Sequence, residues 1–185
     1  MFCLANDIEI VLLCETWFDE TIRNAELSFD KLYQVFRYDR ESRGGGVCIL
    51  VRRYLNVIQI IPNLTGEYIS LEFSTLSESF RIVCVYVPAF GLSTDKCDRV
   101  RKICWVISFV RSFSIPCVVI GDFNLPRIKW HAMNFSDGES AETIFVETCD
   151  ELNFFQLIDE PPHKAGHILD LLLTTDPDLV NNILL

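Results

Sequence analysis

No apolar run in this sequence approaches the ~18 residues that a membrane-spanning helix needs, and none of its cysteines forms a CxxC pair or a Cys/His zinc spacing. Both a membrane-spanning helix and a structural zinc site are therefore not expected. Positive charge is scarce as well: 16 Lys and Arg stand against 26 Asp and Glu, a net of −10 with a sequence pI of 4.7. That argues against a protein held to nucleic acid mainly by a basic surface that releases counterions. It leaves room for an enzyme that gathers divalent cations in a carboxylate cleft and handles a phosphodiester there. Low-complexity tracts, internal repeats and linkers are also missing, so residues 1–185 are expected to form one domain. Asn6, Asp7 and Glu9 break up the start of the chain, so a signal peptide is not expected there.

Half of the residues are hydrophobic and 12% aromatic, enough apolar side chain for a real core. Of the 8 cysteines, Cys14, Cys48, Cys84 and Cys117 lie inside apolar runs, where a thiol is a small core residue. Reduced thiols and no disulfides are expected, which fits an intracellular setting. Strands are predicted at Ile8–Cys14, Tyr33–Tyr38, Val47–Val51, Val57–Ile61, Tyr68–Phe73, Arg81–Val87, Cys117–Ile120, Phe154–Ile158 and Ile168–Leu173, with a further one at Val180–Leu185. Apolar residues at Val100, Ile103, Cys104, Ile107 and Val110 mark one face of a helix over Asp95–Phe113, with Ser93 or Thr94 as its cap. Ala141, Ile144, Phe145, Thr148, Cys149 and Leu152 mark a second over Ala141–Leu152, with Ser140 as candidate N-cap. So many strands with only two main helices point to packed sheets covered by helices, not to alternating β and α.

Several strands run into polar residues suited to metal or phosphate chemistry: Glu15 after VLLC, Tyr86 in VCVYVP, and Asp122 with Asn124 after VVIG. Asp170 sits inside ILDLLL, where an ionised carboxylate should be costly unless paired or bound to metal. Hard oxygen ligands of this kind suit magnesium. Each residue also has a plainer reading. Glu15 could be a solvated strand end, Asp122 and Asn124 could form an Asx turn, and Tyr86 could be a core aromatic.

The run GDFN at Gly121–Asn124 resembles the signature of the endonuclease/exonuclease/phosphatase superfamily. Its extension GDFNLPRIKW is similar to the endonucleases of LINE-type and jockey-like non-LTR retrotransposons. ETW at Glu15–Trp17, RGGGV at Arg43–Val47 and ILDL from Ile168 resemble further motifs of that family, in the same order. The resemblance implies an α/β four-layered sandwich, helix on sheet on sheet on helix. It also implies hydrolysis of a DNA phosphodiester with Mg2+, or Mn2+, as cofactor. Glu15 would bind the metal, Asp122 would position or deprotonate the attacking water, and Asn124 would hold that water and the scissile phosphate. Tyr86 would hydrogen-bond the phosphate, and Asp170 would orient a catalytic histidine. The partner implied is DNA, together with the reverse transcriptase of a parent polyprotein in a full-length element, and the setting is intracellular, the nucleus where the chain is part of an active element.

The family pattern also contains a first strand carrying an Asn and a final Ser-Asp-His motif, neither of which this sequence holds. The chain is therefore expected to be a fragment with weak or no activity. Its three histidines, His131, His163 and His167, are expected on surface loops. Two alternatives remain: another phosphoesterase of the superfamily, and a non-enzymatic remnant or binding module.

Overall fold

The computed structural model describes residues 2–61, 67–76, 78–89, 93–113, 115–128, 130, 140–158 and 168–184. The elements in chain order are α1 (Phe2–Ala5), β1 (Ile10–Cys14), α2 (Asn24–Leu27), β2 (Tyr33–Tyr38), β3 (Val47–Arg52), β4 (Val57–Ile61) and β5 (Glu67–Ser74). They continue with β6 (Ser79–Tyr86), α3 (Ser93–Arg111), β7 (Cys117–Asp122), α4 (Ala141–Glu151), β8 (Phe155–Gln156) and β9 (Asp170–Thr174). One sheet has the order β1-β3-β2 and the other β4-β5-β6-β7-β9-β8. Every neighbouring pair is antiparallel except β6 and β7. A parallel pair needs a crossover connection, and α3 supplies it.

Strand alternation sorts the residues into separate cores. From β6, Val83 and Val85 join the face covered by α3 and α4, while Ile82, Cys84 and Tyr86 enter the space between the sheets. From β3, Val47, Ile49 and Val51 enter that same space, and Cys48 and Leu50 face outward. Strands buried on both faces read as continuous apolar runs, which is why periodicity alone could not show which residue faces which core. The expected stripe of α3 is buried from Val100 to Val110, and Phe145 of α4 packs on Phe123 with ring centroids 4.9 Å apart. Burying such side chains contributes about 1.5–3 kcal/mol each. On the outer face of the smaller sheet the fourth layer is thin: Leu27 of the one-turn α2, with Phe18 and Phe29, covers it.

Ser140 caps α4 as expected, its hydroxyl accepting from the Thr143 N–H at 3.1 Å. The other helix begins at Ser93 itself, so neither Ser93 nor Thr94 precedes it as a cap. Over the described residues 180–184, the strand expected at Val180–Leu185 is not formed. Pro177 opens a 3₁₀ turn capped by the Asp176 carboxylate, and residues 180–184 have no regular structure. A proline at the first helical position, with its φ already fixed, favours that turn over a strand. The histidines His131, His163 and His167 lie outside the described residues.

Candidate active site

The strand registers bring four polar residues into one lateral row. Glu67 of β5 stands opposite Tyr86 of β6, Tyr86 opposite Asp122 of β7, and Asp122 opposite Asp170 of β9. Side chains directly opposite on neighbouring strands share a face of the sheet, and for Tyr86 that face looks toward the smaller sheet. Glu15 arrives from there, one residue beyond β1, and the Tyr86 hydroxyl donates to its Oε1. The thiols below close the seam: Cys14 Sγ lies 3.9 Å from Cys84 Sγ and donates to the Val85 carbonyl at 3.2 Å. Glu15, Tyr86, Asp122 and Asp170, selected from sequence, thus gather where the two sheets meet.

Asp122 ends β7 half-buried. Burial pushes its carboxyl up to about 6; the Asn124 N–H acts against this, and the neighbouring charges of Asp170 and Glu15 add to it. The Asn124 N–H donates to Asp122 Oδ1 at 3.0 Å, and Asn124 Nδ2 donates to the Val87 carbonyl at 2.9 Å. An Asx turn is therefore present, and it fixes the orientation of the carboxylate. Gly121 precedes it because a Cβ there would run into the Val85 carbonyl oxygen. Tyr86 is only 5% exposed. Burial, then the Glu15 hydrogen bond, holds its phenol far above the ordinary value, so it remains an O–H donor.

Asp170 requires a correction. It is the first residue of β9, not an interior one, and its side chain is exposed. Water solvates the carboxylate, and the burial cost expected for it does not arise. The ILDLLL run made it look internal because Ile168 and Leu169 precede the strand, Leu169 meeting the β7 side only through its carbonyl, which accepts from the Phe123 N–H at 2.9 Å.

Three site positions sit on left-handed backbone: Glu15 at φ 51°, Trp17 at 54° and Asn124 at 49°. Such conformations cost of order 1–3 kcal/mol each and persist where the surroundings fix them. Here the fixing groups are visible. Thr16 and Trp17 donate backbone hydrogen bonds to the carbonyls of Gly46 and Gly45, at 3.3 and 2.9 Å. Gly46 is in turn held by Glu67, whose Oε2 accepts its N–H at 2.6 Å while Oε1 pairs with Arg40 at 2.5 Å. A Cβ on Gly45 would collide with that same carboxylate oxygen. Sequence reasoning missed Glu67. Its partners lie more than 20 residues away in the chain, and nothing in a lone acid at a strand start signals them.

The family model described as endonuclease-reverse transcriptase matches residues 80–184. No curated protein matches the chain by sequence. Solved structures do share its fold. The chain superposes on an AP endonuclease from Archaeoglobus fulgidus with a TM-score of 0.66 at 16% identity, over 95% of this chain and 79% of that one. The Neisseria 3′ phosphatase NExo, bound to product DNA hairpin, gives 0.67 at 16% identity over 94% and 79%. The endonuclease domain of TRAS1, a telomere-specific non-LTR retrotransposon, gives 0.60 at 16% identity over 96% and 78%. With the α/β two-sheet sandwich in common and the family match covering more than half of its length, the chain belongs to the endonuclease-reverse transcriptase family.

Proposed function

We propose that the chain is a divalent-metal-dependent phosphodiesterase that nicks DNA, as the endonuclease segment of a non-LTR retrotransposon polyprotein acting in the nucleus. The observation that carries this reading is the meeting of Glu15 and Tyr86 from one side with Asp122 and Asp170 from the other. The donor set fits magnesium or manganese. Among the described residues no three Asp, Glu, Cys or His side chains form a cage for an ion. Magnesium, however, keeps several waters and takes only one or two protein carboxylates, and the exposed Glu15 carboxylate at the seam meets that need. The like charges that help push Asp122 up are those a cation at Glu15 would offset. Bound there, it would supply Lewis-acid stabilisation of a phosphoryl oxygen.

The rest of the chemistry belongs to the chain. Asp122, titrating near 6, has a basicity close to that of an efficient general base and would accept the proton of the attacking water. Asn124 keeps that carboxylate oriented through its N–H. Its side-chain amide, anchored on Val87, would turn its other polar atoms to the water and the scissile phosphate. The Tyr86 hydroxyl would donate to the phosphate as negative charge builds on its oxygens. Asp170 would orient the histidine that the family resemblance implies.

The test is nicking of supercoiled plasmid in Mg2+ and in Mn2+. Any nicking by the chain is expected to be weak, and Asp122→Ala or chelation of the metal should reduce its rate by about 10²–10⁴. Nicking that persists without divalent metal, or an Asp122→Ala variant as fast as the parent, would refute the proposal.

A further inference from the structure

The turn that presents Glu15 also presents a tryptophan. Trp17 lies two residues further along, its Cα no more than about 7 Å from that of Glu15, and it is 57% exposed. The ring is held in place there. Its backbone is left-handed at φ 54°, a conformation that bulky residues rarely adopt, and its N–H donates to the Gly45 carbonyl at 2.9 Å. The indole lies along Gly44, where an added Cβ would touch it at 3.7 Å. Arg43 lies over the ring, with its guanidinium carbon 5.7 Å from the centroid. A strained backbone thus holds a flat aromatic surface largely in water, and burial of the ring does not offset that strain.

A nucleobase is the flat partner that a DNA strand crossing Glu15 and Asp122 would bring to this surface. The span of about 7 Å matches two base steps of about 3.4 Å along a strand. Inside a duplex both faces of a base are covered by its neighbours, so the indole can stack only on a base that has left the stack. We propose that Trp17 is a stacking platform for an unpaired base beside the scissile phosphate, with Arg43 adding a cation next to the ring. The inference rests on the phosphodiesterase reading and narrows its substrate to DNA that is unpaired at that position.

The experiment measures binding, without divalent metal, to two DNA probes by fluorescence anisotropy: a fully paired duplex, and the same duplex with one unpaired base bulged from one strand. The parent chain is expected to bind the bulged probe about tenfold more tightly, the scale of one base–aromatic stack. Trp17→Ala should bind both probes at the parent's level for the paired duplex. Trp17→Tyr keeps an aromatic face and should restore most of the preference. Circular dichroism shows that each variant is folded. Stacking is also read directly, since the bulged probe should quench the tryptophan emission of the parent more than that of Trp17→Tyr. A parent chain that binds both probes equally, or a Trp17→Ala variant that keeps the preference, overturns the inference and leaves the nicking assay to decide the phosphodiesterase reading. Equal weakening of both probes by Trp17→Ala assigns the ring to the DNA backbone and overturns stacking. Binding of neither probe overturns both readings.

Discussion

Glu142 and Asp122 are both carboxylates drawn away from water, and they meet opposite fates. Glu142, on α4, is 3% exposed and is met by Lys96 at 3.0 Å and by Arg127 at 3.2 Å. Burial would raise its carboxyl, but the hydrogen bonds from Arg127 and Lys96 more than compensate and hold it below the ordinary value of 4.5. Asp122, on the sheet edge, has an N–H donor from Asn124 and like charges around it, and is pushed up to about 6. On α4 the acid is satisfied; at the end of β7 the acid is left with a raised proton affinity. Groups with displaced proton affinity concentrate where chemistry is done, which is the basis for proposing Asp122 and not Glu142 as a site residue.

The sharpest way to break the comparison is Asp122→Asn. It removes the reactive carboxylate and keeps the shape, so nicking should fall by about 10²–10⁴ while the metal-free protein becomes more stable at pH 7, by about 1 kcal/mol once solvent screening is allowed for. Thermal melts beside the plasmid assay decide it; a variant that loses both activity and stability contradicts the contrast. Glu142→Gln should do the reverse. Losing two charge-assisted hydrogen bonds should cost about 1–2 kcal/mol, with the rate of the folded fraction unchanged. Chemical denaturation at pH 7 measures this.

The pH dependences sharpen the same point. The folded-state value of Asp122 lies above its unfolded 3.8, so its contribution to stability is fully present below pH 3.8 and is lost as pH rises through about 6. The advantage of Asp122→Asn over the parent should therefore vanish near pH 4 and grow toward pH 7. Glu142 is depressed, so its contribution is present above its unfolded value and is lost as pH falls through the depressed one. The deficit of Glu142→Gln should shrink in acid. Parallel pH trends in the two variants would remove the basis of the comparison. The smallest effect is expected from Glu67→Gln, which weakens the Arg40 pair but keeps an acceptor for the Gly46 N–H. Loss of a partly exposed ion pair is worth about 0.2–1 kcal/mol, visible as a few-fold faster amide exchange at Thr16 and Trp17. Unchanged exchange there would show that Glu67 does not fix the Glu15 turn.

Much of this architecture was legible in the chain. The strands at Tyr33–Tyr38 and Val57–Ile61 and the helix capped by Ser140 stand where they were expected, because β-branched runs, apolar spacing and a capping hydroxyl act over a few residues. The terminal strand was misread because Val180–Leu185 has the composition of a strand but lies beyond Pro177, whose turn ends the sheet's last strand segment. Asp170 was misread because an apolar hexamer does not reveal where pairing with β7 begins.

The sequence by itself determined which residues could do chemistry: carboxylates, an amide and a phenol placed where apolar runs give way to polar ones. Only the tertiary structure decided that Glu67, Tyr86, Asp122 and Asp170 stand in one row and that Glu15 reaches them from the other sheet. Strand register and sheet packing are long-range properties, set by which faces bury together. The proton affinity of Asp122 follows from the same cause, because burial and neighbouring charge exist only once the sheets have closed.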